Sequence, residues 1–244
     1  MTLARAGATV LVCARCAVEV AALRDAMIGE GLRAIAVQAD VTDAAAIVHL
    51  ADALDREKMG RLDILVNNVG GAPRFGQFAE LSDEDWYDTF TLNVMSGVRL
   101  SRCFLAALRR STGGRIINIG SLSALEPGGS NPHYCASKAA QLNFSKYLAG
   151  ALARDRITVN TICAGPVQSA AWDRLFDQRS ADSKSPRSEI ERETLAREIG
   201  KIPLGRLGRA EEVAQLVAFL ASDAGAWITG AAFVVDGGKS HSVF

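Results

Sequence analysis

Residues 115–138 read RIINIGSLSALEPGGSNPHYCASK. An apolar, β-branched run at 115–119 predicts a buried parallel strand, closed by Gly120 and Ser121. Thirteen residues beyond Ser121, Tyr134 and Lys138 stand four apart in a segment, 132 to about 153, that predicts a long helix. The same alternation runs outward in both directions. Upstream, strands are expected at 9–14, 33–39 and 62–67, with helices over about 17–30 and 43–57, and Gly7 closes a short helical stretch before the first strand. Ser82, followed by Asp83, Glu84 and Asp85, predicts the N-cap of one long helix reaching about Arg110. Downstream come a strand at 157–162, a helix at Ala210–Ala221 and a strand at Ala232–Val235 before an Asp236-Gly237-Gly238 turn. Strands alternating with helices specify an α/β fold, a three-layer, doubly wound parallel sheet with both faces covered.

The 244 residues, 49% hydrophobic and 22% charged, suffice for one large α/β domain spanning 1–244. A formal net charge of zero gives no footprint for nucleic acid or an anionic membrane, so the expected partner is a small molecule. No apolar run approaches the length that spans a bilayer; Arg5 followed by AGATVLVCA imitates a signal peptide, but those residues also serve as a buried strand. The five cysteines lie mostly in apolar segments and point to reduced thiols in a cytoplasmic protein. Cys13 and Cys16 form a C-x-x-C with no second ligand pair at zinc-finger spacing, and no metal site is expected. Residues 170–201 are polar, mixed in charge and poor in core residues, and are read as a mobile helical lid inserted into the single domain.

In an open parallel sheet, ligands bind beyond the carboxyl ends of the strands, where Ser121 sits. Tyr134 and Lys138, at i and i+4, share one helix face. An ammonium near a phenol favours the phenolate and lowers its pKa from about 10 toward a useful acid or base. Tyr-x-x-x-Lys is common on helices, and its company gives it weight: Asn67-Asn68-Val69-Gly70-Gly71 ends one strand, Asp40-Val41-Thr42-Asp43 another, and Asn93 lies in the long helix between. Gly70-Gly71 could still be a plain tight turn and Asp40 an ordinary N-cap.

The order DVTD, NNVGG, Asn93, GRIINIGS, YCASK, NTICAGPVQS, IPLGRLGRAEEVA and ITGAAFVVDGG resembles the short-chain dehydrogenase/reductase family, 3-oxoacyl-[acyl-carrier-protein] reductase-like members in particular, over nearly the whole chain. The resemblance implies a Rossmann-type fold and an oxidoreductase that interconverts a ketone, 3-oxoacyl or other, and a secondary alcohol by hydride transfer. Tyr134 is then the general acid/base. Lys138 lowers its pKa and holds the nicotinamide ribose, Ser121 hydrogen-bonds the substrate oxygen, and Asn93 holds a water that connects Lys138 to solvent. Asp40 and Val41 fall at the adenine, Asn68 and Gly70 along the adenosine, Val167 at the nicotinamide carboxamide through its backbone, and Ser169 near the pyrophosphate. Arg15 follows the first strand where NAD-type members carry an acid, which favours NADP over NAD; the alternative is an arginine that stacks on adenine or faces solvent.

Members of the family begin with a strand and a glycine-rich turn that binds the pyrophosphate. This chain starts inside the following helix, so about 20 to 25 residues of a βα unit, including the central strand, are expected to be wanting. The expectation allows a longer functional protein, a sheet that closes by pairing its two exposed edges directly, or a non-catalytic subunit leaning on a complete paralogue. Ala164 stands where the family has proline, and Ser169 replaces a threonine. Residues 71–78, 122–133 and 170–201 are expected to line the substrate pocket, with His133 and Trp172 as contacts or as packing residues. The competing function is a catalytically silent binding or assembly partner; either reading implies a homo-oligomer, dimer or tetramer, through the helices at about 83–110 and 134–153.

Overall fold

The computed structural model describes residues 1–57 and 59–242. In chain order the elements are α1 (Thr2–Arg5), β1 (Val10–Ala14), α2 (Ala17–Gly29), β2 (Ala34–Gln38), α3 (Ala44–Arg56), β3 (Ile64–Asn67), α4 (Asp83–Phe90), α5 (Ser96–Cys103), α6 (Leu105–Arg109), β4 (Arg115–Ser121), α7 (Pro132–Leu152), β5 (Thr158–Ala164), α8 (Ala170–Ser183), α9 (Arg187–Ile199), α10 (Ala210–Ala221) and β6 (Ala232–Val235). All strand pairs are parallel. β3, β4, β5 and β6 form one sheet in that order, and β1 pairs with β2 in a second.

The period of two along β4 and β5 decides what covers each face. Ile116 and Val159 point into a core with Leu50, Leu100, Phe104 and Leu152, from α3, α5 and α7 and the residue joining α5 to α6. Ile117 and Ile162 point the other way, into a second core with Val217 and Leu220 of α10. Each such fully buried aliphatic side chain contributes about 1.5 to 3 kcal/mol. With helices on both faces, the carboxyl ends of β3, β4 and β5 are left open at one end of the sheet. The register sets Ser121 beside Ala164 there.

Three expectations are corrected. The helix expected from 83 to about 110 is three pieces: Ser82 caps α4 as read, its side chain accepting from Asp85 N, but Thr91–Met95 winds as a π-helical turn and Phe104 breaks the last stretch at φ −89°, ψ 2°. Asn93 lies in that turn with its side chain bonded outside the helix, and such bulges commonly serve a site rather than the helix. Asp40 caps nothing; the N-cap of α3 is Asp43, whose carboxylate accepts from Ala45 N. Among the described residues β1 does not pair with β3, so the sheet does not close by direct pairing of those edges. The polar segment 170–201 holds two helices, α8 and α9, packed on each other. No helix among the described residues is long and apolar enough to cross a membrane.

Candidate active site

β4 delivers Ser121 to the open end of the sheet, and its hydroxyl accepts from Ser123 N at 3.1 Å. α7 then starts at Pro132, pre-set for a first helical position, with Asn131 before it in the left-handed region at φ 57°. Asn131 also ties down the loop after β3: its Oδ1 accepts from Gly76 N, and its own N donates to Gly76 O, both at 2.9 Å. This start sets Tyr134 in the first turn of α7, where its phenol hydrogen-bonds Ser121. One turn on, Lys138 Nζ lies 5.9 Å from the centre of the Tyr134 ring.

The electrostatics differ from expectation. Burial raises the Tyr134 pKa, and the hydrogen bond with Ser121 offsets part of that rise. The Lys138 ammonium donates to Ile119 O at 2.9 Å and Gln141 Oε1 at 3.1 Å. Lys138 is itself pushed down to about 8 by burial, with the nearby Cys163 opposing the shift. Burial likewise pushes the Cys163 thiol up to about 11. Lysine and tyrosine are thus both biased toward their neutral forms in this buried pocket.

Asn93 is fully buried and committed. Its amide exchanges two hydrogen bonds with the Gly71 backbone, each 2.8 Å, and donates to Ser137 Oγ at 3.0 Å. Its side chain therefore clamps the turn after β3. Gly70 needs to be glycine: a Cβ there would stand 2.8 Å from Lys138 Nζ and 2.9 Å from Asn93 Oδ1. This close approach, together with one of the three ammonium donors of Lys138 left unpaired, fits a ribose edge laid against the turn. At the far side Arg15 and Asp40 stand together. Asp40 accepts from Thr42 N and Oγ1 at 2.9 and 2.7 Å, which holds its carboxyl below the usual range, and the Arg15 charge adds to the effect.

The remaining expected residues fall out as follows. Val41 is buried in the first core, leaving only its backbone to face a ligand. Asn68 is exposed at the end of β3. Val167 O accepts from Trp172 Nε1 at 2.9 Å, and Ser169 precedes α8 with no side-chain cap bond. His133 is no pocket contact: it is fully buried, its ring centre 6.0 Å from that of Trp86 and both its nitrogens without partners, while Trp172 does line the cleft.

The cleft is about 1070 Å³, running from Gly71, Ser121 and Tyr134 out to α8 and α9. Gln178 ties α8 to the loop after β3, donating to Phe75 O at 3.0 Å. Sequence reasoning missed Gln141 and Ser137. The signal for the first was available, since i and i+3 share a helix face and a glutamine there has no core role. Behind Gln141 a buried polar chain continues: Ser145 Oγ donates to Gln141 O at 2.7 Å, Asn118 Nδ2 to Ser145 Oγ at 2.8 Å, and Asn67 Nδ2 to Asn118 Oδ1 at 2.7 Å.

Known proteins similar to this chain share a family and a fold. The family model described as enoyl-(acyl carrier protein) reductase matches residues 1–240. The chain is 37% identical over 199 residues to the 3-oxoacyl-[acyl-carrier-protein] reductase FabG of Escherichia coli, covering 82% of this chain and 75% of that protein. L-sorbose reductase from Gluconobacter frateurii, solved with NADPH and L-sorbose, is similar at a TM-score of 0.89 and 30% identity over 99% of this chain and 90% of the other. An actinorhodin polyketide ketoreductase solved with NADPH has a TM-score of 0.89 at 32% identity, over 99% and 91%.

Proposed function

We propose that this chain, which belongs to the short-chain dehydrogenase/reductase family, is an NADPH-dependent reductase of ketones, with 3-oxoacyl compounds as its first substrate class. The observation that carries the reading is the Ser121–Tyr134 hydroxyl pair at the mouth of β4, opening on the cleft with Lys138 buried behind it. A carbonyl oxygen placed between the two hydroxyls receives hydrogen bonds from both as negative charge develops on it. Tyr134, kept protonated by burial, gives its proton to that oxygen, and in the reverse direction takes it back. Lys138 donates to a ribose hydroxyl and, once drawn toward it, places its charge nearer the phenol. The dinucleotide, when bound, supplies the hydride. Gly70 would let it approach the lysine, Asn93 keeps the Gly71 turn in place, and Val167 and Ser169 would hold its nicotinamide and pyrophosphate.

Arg15 selects the 2′-phosphate of NADPH, and NADPH-bound relatives of the same fold support that choice. The setting is cytoplasmic, and the working form is a homo-oligomer. The test is reduction of a short 3-oxoacyl thioester with each cofactor. A kcat/KM at least about tenfold higher with NADPH than with NADH is expected, and an Arg15→Glu variant reverses the order. Equal use of both cofactors contradicts the role of Arg15, and no reduction with either contradicts the function.

A further inference from the structure

We propose that the carbonyl compound reduced at Tyr134 carries an anionic group, a carboxylate or a phosphate, which seats between Arg179 of α8 and Arg197 of α9. This rests on the reductase reading above and adds the substrate class to it.

The chain has no net charge, yet the outer half of the cleft has an excess of cations. Arg174, Arg179 and Arg197 all line it. Four acids of α8 and α9 are held by other cations. Asp173, Asp177 and Glu191 are all bonded to Arg187, at 2.6, 2.7 and 2.9 Å. Glu198, which also lines the cleft, holds Lys201 with one oxygen and Lys239 with the other, both at 2.8 Å. Among the described residues no carboxylate pairs with Arg174, Arg179 or Arg197.

Arg179 is half-buried, and its guanidinium donates only to the neutral Thr194 Oγ1 at 3.2 Å. Burial disfavours its charge and Arg197 across the helix pair adds repulsion, while the nearby Glu198 carboxylate, shared with two lysines, offsets only part of both. Two like charges held together at the edge of low-dielectric surroundings cost free energy that an anion between them relieves. Planar guanidinium forks suit a carboxylate or phosphate in particular. Because the same cleft reaches back to Ser121 and Tyr134, an anion seated there leaves the other end of its molecule facing the proton donor.

Matched pairs of ketones test this: a 3-oxo carboxylate against its methyl ester, and a ketose phosphate against the free ketose, each reduced with NADPH. The expected result is a kcat/KM at least about tenfold higher for the anionic member of one pair, and which pair shows it distinguishes carboxylate from phosphate. Arg179→Gln and Arg197→Gln should each raise KM for that member by roughly tenfold with little change in kcat, and Arg197→Lys should recover part of the loss. The inference is overturned if neutral members match their anionic partners, or if the variants leave the preference intact, while reduction itself persists. If none of the four is reduced while a short 3-oxoacyl thioester is, the inference is overturned and the reductase reading stands; if the thioester is not reduced either, both fall.

Discussion

Lys138 Nζ donates to Gln141 Oε1 at 3.1 Å, and both residues are buried on one face of α7. Together with Ile119 O, the glutamine sets where the lysine's ammonium points.

Gln141→Leu therefore leaves Lys138 with Ile119 O as its sole acceptor and one more buried donor unpaired, at a cost of about 1 to 3 kcal/mol. The charged form loses support, so the Lys138 pKa falls further below about 8. The alkaline limb of the pH–rate profile should move to lower pH, with Gln141→Glu moving it upward. Identical profiles for wild type and both variants would show that Gln141 only fills space.

Lys138 also links stability to pH. Its pKa drops from 10.5 to about 8 on folding, so between these values the unfolded chain binds more protons and stability rises with pH. The penalty, about 3 kcal/mol, is in full force below pH 8 and relieved above it. Cys163 acts oppositely, its raised pKa eroding stability as pH climbs from 9.0 toward about 11. The difference between wild type and Lys138→Met in urea isolates the lysine. Wild type should gain on the variant as pH rises from about 8 toward 10.5, and a flat difference contradicts the burial cost.

Gly70→Ala should lower NADPH affinity and turnover together by at least about tenfold, because the new methyl displaces Lys138 Nζ and Asn93 Oδ1. A titration of the variant with NADPH that matches wild type would mean that the lysine yields without loss.

His133→Leu should keep activity and raise thermal stability by about 1 kcal/mol, since two unpaired ring nitrogens leave a fully buried site. A melting temperature that falls instead would reveal a partner for the imidazole.

These residues mark what the sequence makes legible. Strands such as β4 and β5 are plain because their apolar, β-branched runs must be buried on both faces. The π-helical turn at Thr91–Met95 is not, because helical periodicity runs straight through it and only the tertiary bond from Asn93 to Gly71 demands the break. For Tyr134 and Lys138 the spacing gives the shared face but not the acceptors, so the direction of the ammonium and the sign of the tyrosine shift had to come from the fold. His133 adjoins Tyr134 in sequence, yet neighbours on a helix point about 100° apart, and it turns to Trp86 and not to the cleft.

The most direct test of the account is a single-turnover measurement with Tyr134→Phe, using NADPH and a 3-oxoacyl thioester beside an NADPH titration. The account predicts a rate lower by about 100-fold or more, with the NADPH Kd changed by less than about threefold, because the hydroxyl carries the proton while the ring holds its place. A phenylalanine variant that reduces the thioester at the wild-type rate would contradict it.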